Sequence, residues 1–161
     1  MTPGIERLRV TLSLVEKEAH YLRDVTQRLF PGNAHWDAYR LQQHLATPEG
    51  IDQIESFGAK FGRLQDTLVD KLFPRYLEAL GERKGPAIDT LNRLAAFGLI
   101  EDSAAWLAMR RLRNRLVHEY VEDMNELAAA LNVAREAVDR LLDTAARLQA
   151  DIQSRWPEKE A

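Results

Sequence analysis

The sequence predicts an all-α protein, an up-and-down bundle of four to five helices in a single domain spanning residues 1–161. Apolar residues recur at steps of three and four along most of the chain, which is the spacing of a helix buried along one face. Clusters of proline and glycine divide these periodic segments into pieces of helix length. No useful length of sequence alternates with period two, so no sheet is expected.

The first periodic segment predicts a long helix that ends at Phe30-Pro31-Gly32, where proline removes a donor and glycine permits a turn. Glu16 and Glu18 on this helix are predicted to be ordinary solvated carboxylates. A shorter helical piece or a connection is expected from His35 to Pro48. The buried stripe of the long helix comprises Leu8, Leu12, Val15, Ala19, Leu22, Thr26 and Leu29.

A second long helix is predicted to begin at Thr47-Pro48-Glu49, since threonine can cap, proline suits the first turn and an acid suits the helix dipole. Gly58 and Gly62 form a G-x-x-x-G pair in a polar stretch, which favours close helix packing. Pro74 is expected to kink or split the helix. Its apolar stripe comprises Ile51, Ile54, Phe57, Phe61, Leu64, Leu68 and Leu72.

The second half of the chain predicts three further helices after a loop at 81–86. A short one, 87–97, should stop at Gly98, a natural left-handed C-terminal cap. The next should start at Asp102 or Ser103 and continue to about Tyr120. The last should run from about residue 125 to 152, followed by a frayed tail at about 157–161.

The composition of the chain excludes several kinds of site and function. The chain of 161 residues carries a formal net charge of -3, so it lacks the broad basic surface of a non-specific nucleic-acid binder. It contains no cysteine, which excludes disulfides and thiolate metal sites and fits a cytoplasmic location. No apolar run is long enough to suggest a membrane span, and no histidine spacing suggests a metal site.

One segment, Arg110 to Tyr120, concentrates positive charge: positions 110–118 include four arginines and no acid. Guanidinium groups suit phosphate because they stay charged and offer forked donors. Helical geometry places Arg113 within the apolar arc, where a charge should be paired, set at a subunit interface or opened to a cleft. The opposite arc carries Arg111, Asn114, Arg115 and His118, which could face one anion together.

Arg113 to Tyr120 fits R-x-x-x-x-H-x-Y with asparagine directly after the arginine. This pattern resembles the signature of HepT-like HEPN proteins, the toxin partners of minimal nucleotidyltransferases. The approach to the motif is similar as well, from Leu91 through Gly98-Leu99-Ile100 and Trp106-Leu107. The resemblance covers about thirty residues, counted over this stretch, and implies a HEPN-like helical domain.

What the resemblance implies is a metal-independent endoribonuclease that acts as a homodimer and needs no cofactor. The ribose 2′-hydroxyl would attack the neighbouring phosphate of an RNA substrate and leave a cyclic phosphate. His118 would act as general acid or base, Arg113 would hold the phosphate, and Asn114 would orient either group. Arg111 and Arg115 are candidates for contact with the RNA backbone.

Tyr120 would be the acceptor of AMP from the nucleotidyltransferase antitoxin, and the added phosphate would block RNA by charge and volume. The plainer interpretation of Tyr120 is a core tyrosine with its hydroxyl at the rim. Two other functions are considered: a non-catalytic substrate-binding subunit of a two-component nucleotidyltransferase, and a purely structural helical dimer, against which Arg113 in the apolar arc argues. The histidine and tyrosine favour the nuclease, whereas the acidity of the chain favours the binding subunit.

Overall fold

The structure is a computed structural model that describes residues 3–83, 85–118 and 123–158; the side chains at 117 and 118 also lie outside that description. The described residues form helices joined by short connections, and they contain no strand, as the sequence predicts. None of the described helices combines the length and apolar content needed to cross a membrane. The helices are α1 (Pro3–Leu29), α2 (Ala38–His44), α3 (Pro48–Thr67), α4 (Phe73–Ala79), α5 (Ala87–Ala96), α6 (Ser103–His118) and α7 (Met124–Arg155).

Four long helices form a ring in which α1 packs on α3 and α7, and α6 packs on the same two helices. Successive long helices in the ring run antiparallel. Phe30 at the end of α1 contacts Phe57 in the first half of α3. Near the start of α1, the hydroxyl of Thr11 accepts a hydrogen bond from the guanidinium of Arg75 on α4, which follows α3. The ring is therefore an up-and-down arrangement with its core along the axis.

The helix ends confirm most of the local predictions. The side chain of Thr47 caps α3 by accepting a hydrogen bond from the amide of Gly50 at 3.1 Å. Asp102 performs the same role for α6 by accepting from the amide of Ala104 at 2.9 Å. Gly98 adopts a φ of 78°, the left-handed conformation that ends α5.

Pro74 does interrupt its helix, through a π turn at Leu68–Leu72 that joins α3 to α4. Within this turn the amide of Phe73 donates to the carbonyl of Leu68, five residues back. A π turn inserts one extra residue into the helical ladder, and it lies in the turn just before the proline, where the ring would crowd an ordinary α-helix. The segment between His35 and Pro48 contains a real helix, α2, capped by Asp37.

Candidate functional site

Helix α6 carries the segment that the sequence singles out, and its apolar arc is buried at the four positions that the structure describes; Val117 and Tyr120, the other predicted members, lie outside the described side chains. Trp106, Met109, Leu112 and Leu116 are each less than a tenth exposed and belong to the core. This apolar face packs α6 against α3 on one side and α7 on the other. The arginines of α6 are therefore divided between the side that faces α3 and the side that faces α7.

The G-x-x-x-G pair lies at the contact between α3 and α6, which confirms the prediction of close packing. A Cβ atom added at Gly58 would lie 3.7 Å from the Cβ of Leu116, an ordinary van der Waals distance. One added at Gly62 would lie 2.6 Å from Nε of Arg113 and 3.0 Å from its Cγ. Glycine at 62 thus leaves the space in which the stem of Arg113 crosses α3.

Arg113 is paired, one of the three outcomes that its place in the apolar arc predicts. Its Nη2 lies 3.1 Å from Oδ2 of Asp66 on α3, and its Nη1 donates to Oδ1 of the same carboxylate at 3.4 Å. The side chains of Arg113 and Asp66 are 37% and 34% exposed. The carboxylate therefore orients the guanidinium and offsets its charge, while part of the guanidinium still meets solvent.

A second arginine of α6 is paired with α3 in the same way, because Arg110 Nη2 lies 2.8 Å from Oδ1 of Asp70. The two arginines on the other side of α6 differ. Arg111 and Arg115 are exposed, and neither forms an ion pair with any residue that the structure describes. The unbalanced positive charge of the segment thus belongs to these two side chains.

Arg111 and Arg115 border a groove of about 520 Å³ between α6 and α7. Arg140 of α7 borders it too, together with Glu136. The remaining lining is apolar and comprises Ala105, Ala108, Met109, Leu112, Val133 and Ala137. Arg111 and Arg115, the two arginines predicted to contact the RNA backbone, therefore border the same groove. Arg140 was not predicted as a site residue, because the sequence of α7 has the pattern of an ordinary amphipathic helix.

Of the other predicted site residues, Asn114 and Arg113 can be placed, and neither lines this groove. Asn114 is exposed on α6 and does not line it. His118 is the last residue of α6, but its side chain lies outside the part of the chain that the structure describes. Tyr120 lies outside that part altogether. Arg113 faces α3, on the opposite side from the groove.

Helix α6 continues without a break from Ser103 to His118. Five helical steps separate Arg113 from His118, which amounts to about 140° of rotation around the axis. A distorted helix would have allowed the two residues to meet within one chain, but the backbone has no such distortion. The two positions therefore lie on different faces of α6.

No protein-family model, no curated protein and no solved structure matches this chain. The likeness to HepT-like proteins therefore depends on the motif and its helical setting. Among the described residues, no group of three or more histidine or acidic side chains is arranged to hold a metal ion.

Glu18 is buried inside the bundle, so the prediction that it is a solvated carboxylate was wrong. Its side chain is 7% exposed, and Thr67 on α3 lies 3.0 Å from its Oε1. The missed signal is its spacing, since position 18 is three residues after Val15 and four before Leu22 and so falls on the buried face. Burial raises the pKa of Glu18, against the opposing effects of the Thr67 hydroxyl, Arg63 and Lys71.

The hydrogen bond that Thr67 offers Glu18 is a shared one. The single hydroxyl proton of Thr67 has two acceptors in reach, Oε1 of Glu18 at 3.0 Å and the carbonyl of Arg63 at 2.9 Å. Because one proton serves both acceptors, Thr67 can only partly offset the cost of burying a charged Glu18. Oε2 of Glu18 is buried with no partner among the described residues, which adds to the cost of a negative charge there.

We expect Glu18→Gln to raise the free energy of unfolding at pH 7 by about 1 kcal/mol. A carboxyl whose pKa is higher in the folded than in the unfolded state stabilises the fold when protonated, and this stabilisation is lost as the pH rises through the folded pKa. The advantage of the variant should therefore shrink as the pH falls towards the ordinary value of 4.5. Urea unfolding at several pH values measures this, and the exposed neighbour gives the control, Glu16→Gln. Equal pH dependence of the two variants would contradict the assignment.

Proposed function

We propose that this chain is a metal-independent endoribonuclease toxin of the HEPN type, restrained by a minimal nucleotidyltransferase antitoxin. The observation that carries the proposal is the motif from Arg113 to Tyr120 on α6, with asparagine after the arginine. The geometry of Arg113 supports it, because Asp66 holds the guanidinium in one place while a third of the side chain remains exposed. An oriented, partly exposed guanidinium is suited to a phosphate group.

In this proposal two copies of the chain place their motifs on opposite sides of one cleft. Arg113 of one protomer and His118 of the partner subunit would then reach the same phosphodiester. The homodimer overcomes the rotation of about 140° between the two positions along one helix. Arg111 and Arg115 are exposed and without a described carboxylate partner, so they can contact flanking phosphates of the RNA.

The reaction follows from these roles. Neutral His118 removes the proton of the 2′-hydroxyl, and the 2′-oxygen forms a bond to the adjacent phosphorus. The bond from phosphorus to the 5′-oxygen breaks, and that oxygen takes the proton that His118 has gained, which returns His118 to its neutral form. Arg113 stabilises the negative charge that develops on the phosphate oxygens, and the products are a 2′,3′-cyclic phosphate and a 5′-hydroxyl.

We expect the purified protein to cleave single-stranded RNA in EDTA. The cleavage rate of the His118→Ala variant should be lower than that of the wild type by about a hundredfold or more. A mass spectrum of the products should show the cyclic phosphate. Arg23→Ala is the control, because Arg23 is an exposed arginine on α1, away from the motif. The proposal fails if wild type and His118→Ala cleave equally, or if neither cleaves.

The same assay tests Tyr120 as the acceptor of AMP. Incubation with a nucleotidyltransferase partner and ATP should silence the wild-type protein and add the mass of AMP. Tyr120→Phe should keep its cleavage activity and its original mass under the same conditions. An adduct that survives this substitution would show that another residue is modified.

A second candidate function is a non-catalytic subunit that presents a substrate to a nucleotidyltransferase. The ion pair between Arg113 and Asp66 favours it, because a carboxylate that offsets the guanidinium charge weakens the stabilisation of a transition state. Absence of cleavage by the wild-type protein, together with binding of the nucleotidyltransferase, would support this function.

A further inference from the structure

The groove between α6 and α7 is formed by two helix faces with the same spacing. On α6 the lining residues at 105, 108, 109 and 112 fall at i, i+3, i+4 and i+7, and on α7 those at 133, 136, 137 and 140 do the same. This spacing is the stripe through which one helix packs on another. Each stripe thus continues past the core to the surface, where Val133 is 54% exposed.

The floor of the groove suits a helix because it is made of small and aliphatic side chains. Ala105, Ala108 and Ala137 let a third backbone approach closely, and Val133 offers an exposed apolar contact. The lining extends from residue 105 to 115 on α6, about 15 Å or roughly three helical turns. Amphipathic helices bind grooves of this kind through anchors at i, i+3, i+4 and i+7.

The rim of the groove selects the charge of the occupant. Arg111, Arg115 and Arg140 border it, and none of the three forms an ion pair within the described part of the chain. With Glu136 as the acid of the rim, three positive charges and one negative leave a net charge of +2, in a chain whose net charge is -3. The rim is therefore complementary to acidic side chains.

The same features argue against two other occupants of the groove floor, the bases of an RNA and a second copy of the chain. RNA recognition commonly stacks bases on aromatic rings, and no aromatic side chain lines this groove. A second copy that docked through the same face would bring the arginines of both rims together, which is unfavourable.

We propose that the groove between α6 and α7 is a docking site for an amphipathic helix of a separate protein, in which acidic side chains flank the apolar anchors. The anchors of this helix fill the alanine-rich floor, and its glutamates or aspartates pair with the three rim arginines. The proposal does not depend on the nuclease activity, since it uses only the shape and charge of the groove. If RNA also contacts Arg111 and Arg115, the bound helix competes with it.

The test uses the full chain and two labelled synthetic peptides about three turns long. Both peptides carry leucines at i, i+3, i+4 and i+7; one has flanking glutamates and the other has flanking lysines. We expect fluorescence anisotropy to show binding of the glutamate peptide, weakened about tenfold or more in the triple variant Arg111→Glu, Arg115→Glu, Arg140→Glu. The triple variant should instead bind the lysine peptide.

Two further variants locate the contact. Val133→Glu places a charge on the apolar floor and should weaken the glutamate peptide, whereas Arg23→Glu on α1 should leave it unchanged. The proposal is overturned if both peptides bind alike, if neither binds, or if the triple variant keeps its affinity. It is also overturned if Val133→Glu abolishes self-association of the chain without affecting the peptide, because the groove would then be an interface between copies.

Discussion

Replacing Trp106 with alanine should lower the free energy of unfolding by about 3–5 kcal/mol, the usual cost of emptying a large aromatic site. Trp106 is 1% exposed and is among the largest fully buried side chains. Its ring meets the edge of Phe73 with 5.1 Å between centroids, so it joins α6 to α4. Urea unfolding at 25 °C, followed by circular dichroism, measures the change.

The control for this substitution is Phe97→Ala, because Phe97 is an aromatic side chain that is 51% exposed. We expect that variant to lose less than about 1 kcal/mol, since half of its surface already meets water. Equal losses in the two variants would mean that Trp106 is not a core residue. In that case Trp106 would not be the residue that anchors α6 and its motif in the core.

Gly62→Ala should lower the free energy of unfolding by about 1 kcal/mol, because the cost of overpacking a close contact, about 2 kcal/mol, exceeds the gain of about 1 kcal/mol from alanine in a helix interior. The new methyl group would lie 2.6 Å from Nε of Arg113 and close to its stem, so either the side chain or the helix must move. Either movement weakens the pair with Asp66 and alters the position of the guanidinium. In the proposed nuclease the variant should therefore cleave RNA more slowly even where it is folded.

Gly58→Ala provides the matched comparison on the same helix. A Cβ there would meet Leu116 at 3.7 Å, which is ordinary contact. Alanine is favoured over glycine in a helix interior by about 1 kcal/mol, so this variant should be as stable as the wild type or more stable. If Gly58→Ala loses as much stability as Gly62→Ala, then α3 and α6 do not make their closest contact at Gly62 and Arg113.

Much of the helix order was predictable because the signals are local. The cap at Thr47, the stop at Gly98 and the break before Pro74 each depend on the preferences of a few neighbouring residues. The buried arc of α6 was predictable as well, since Trp106 and Leu116 fall on a single helical stripe. These preferences act wherever the segment lies in the fold.

The environment of each charged residue was harder to predict. A carboxylate next to an arginine along the chain need not be its partner: Asp66 and Arg113 are 47 residues apart and meet because α3 and α6 cross at Gly62. Glu18 resembled its exposed neighbour Glu16 by residue type, yet packing against α3 buried it. Arg140 likewise joined Arg111 and Arg115 through the pairing of α6 with α7.

The amino-acid order alone thus specifies helices, their ends, their buried stripes and the motif on α6, because periodicity and capping act over one or two turns. Whether a given arginine is neutralised or left to bind an anion depends on which helix packs beside it. Arg113 meets the carboxylate of Asp66, whereas Arg111 and Arg115 border an open groove with an apolar floor. Folding therefore divides one basic segment into an oriented ion pair on one side of α6 and an anion-attracting surface on the other.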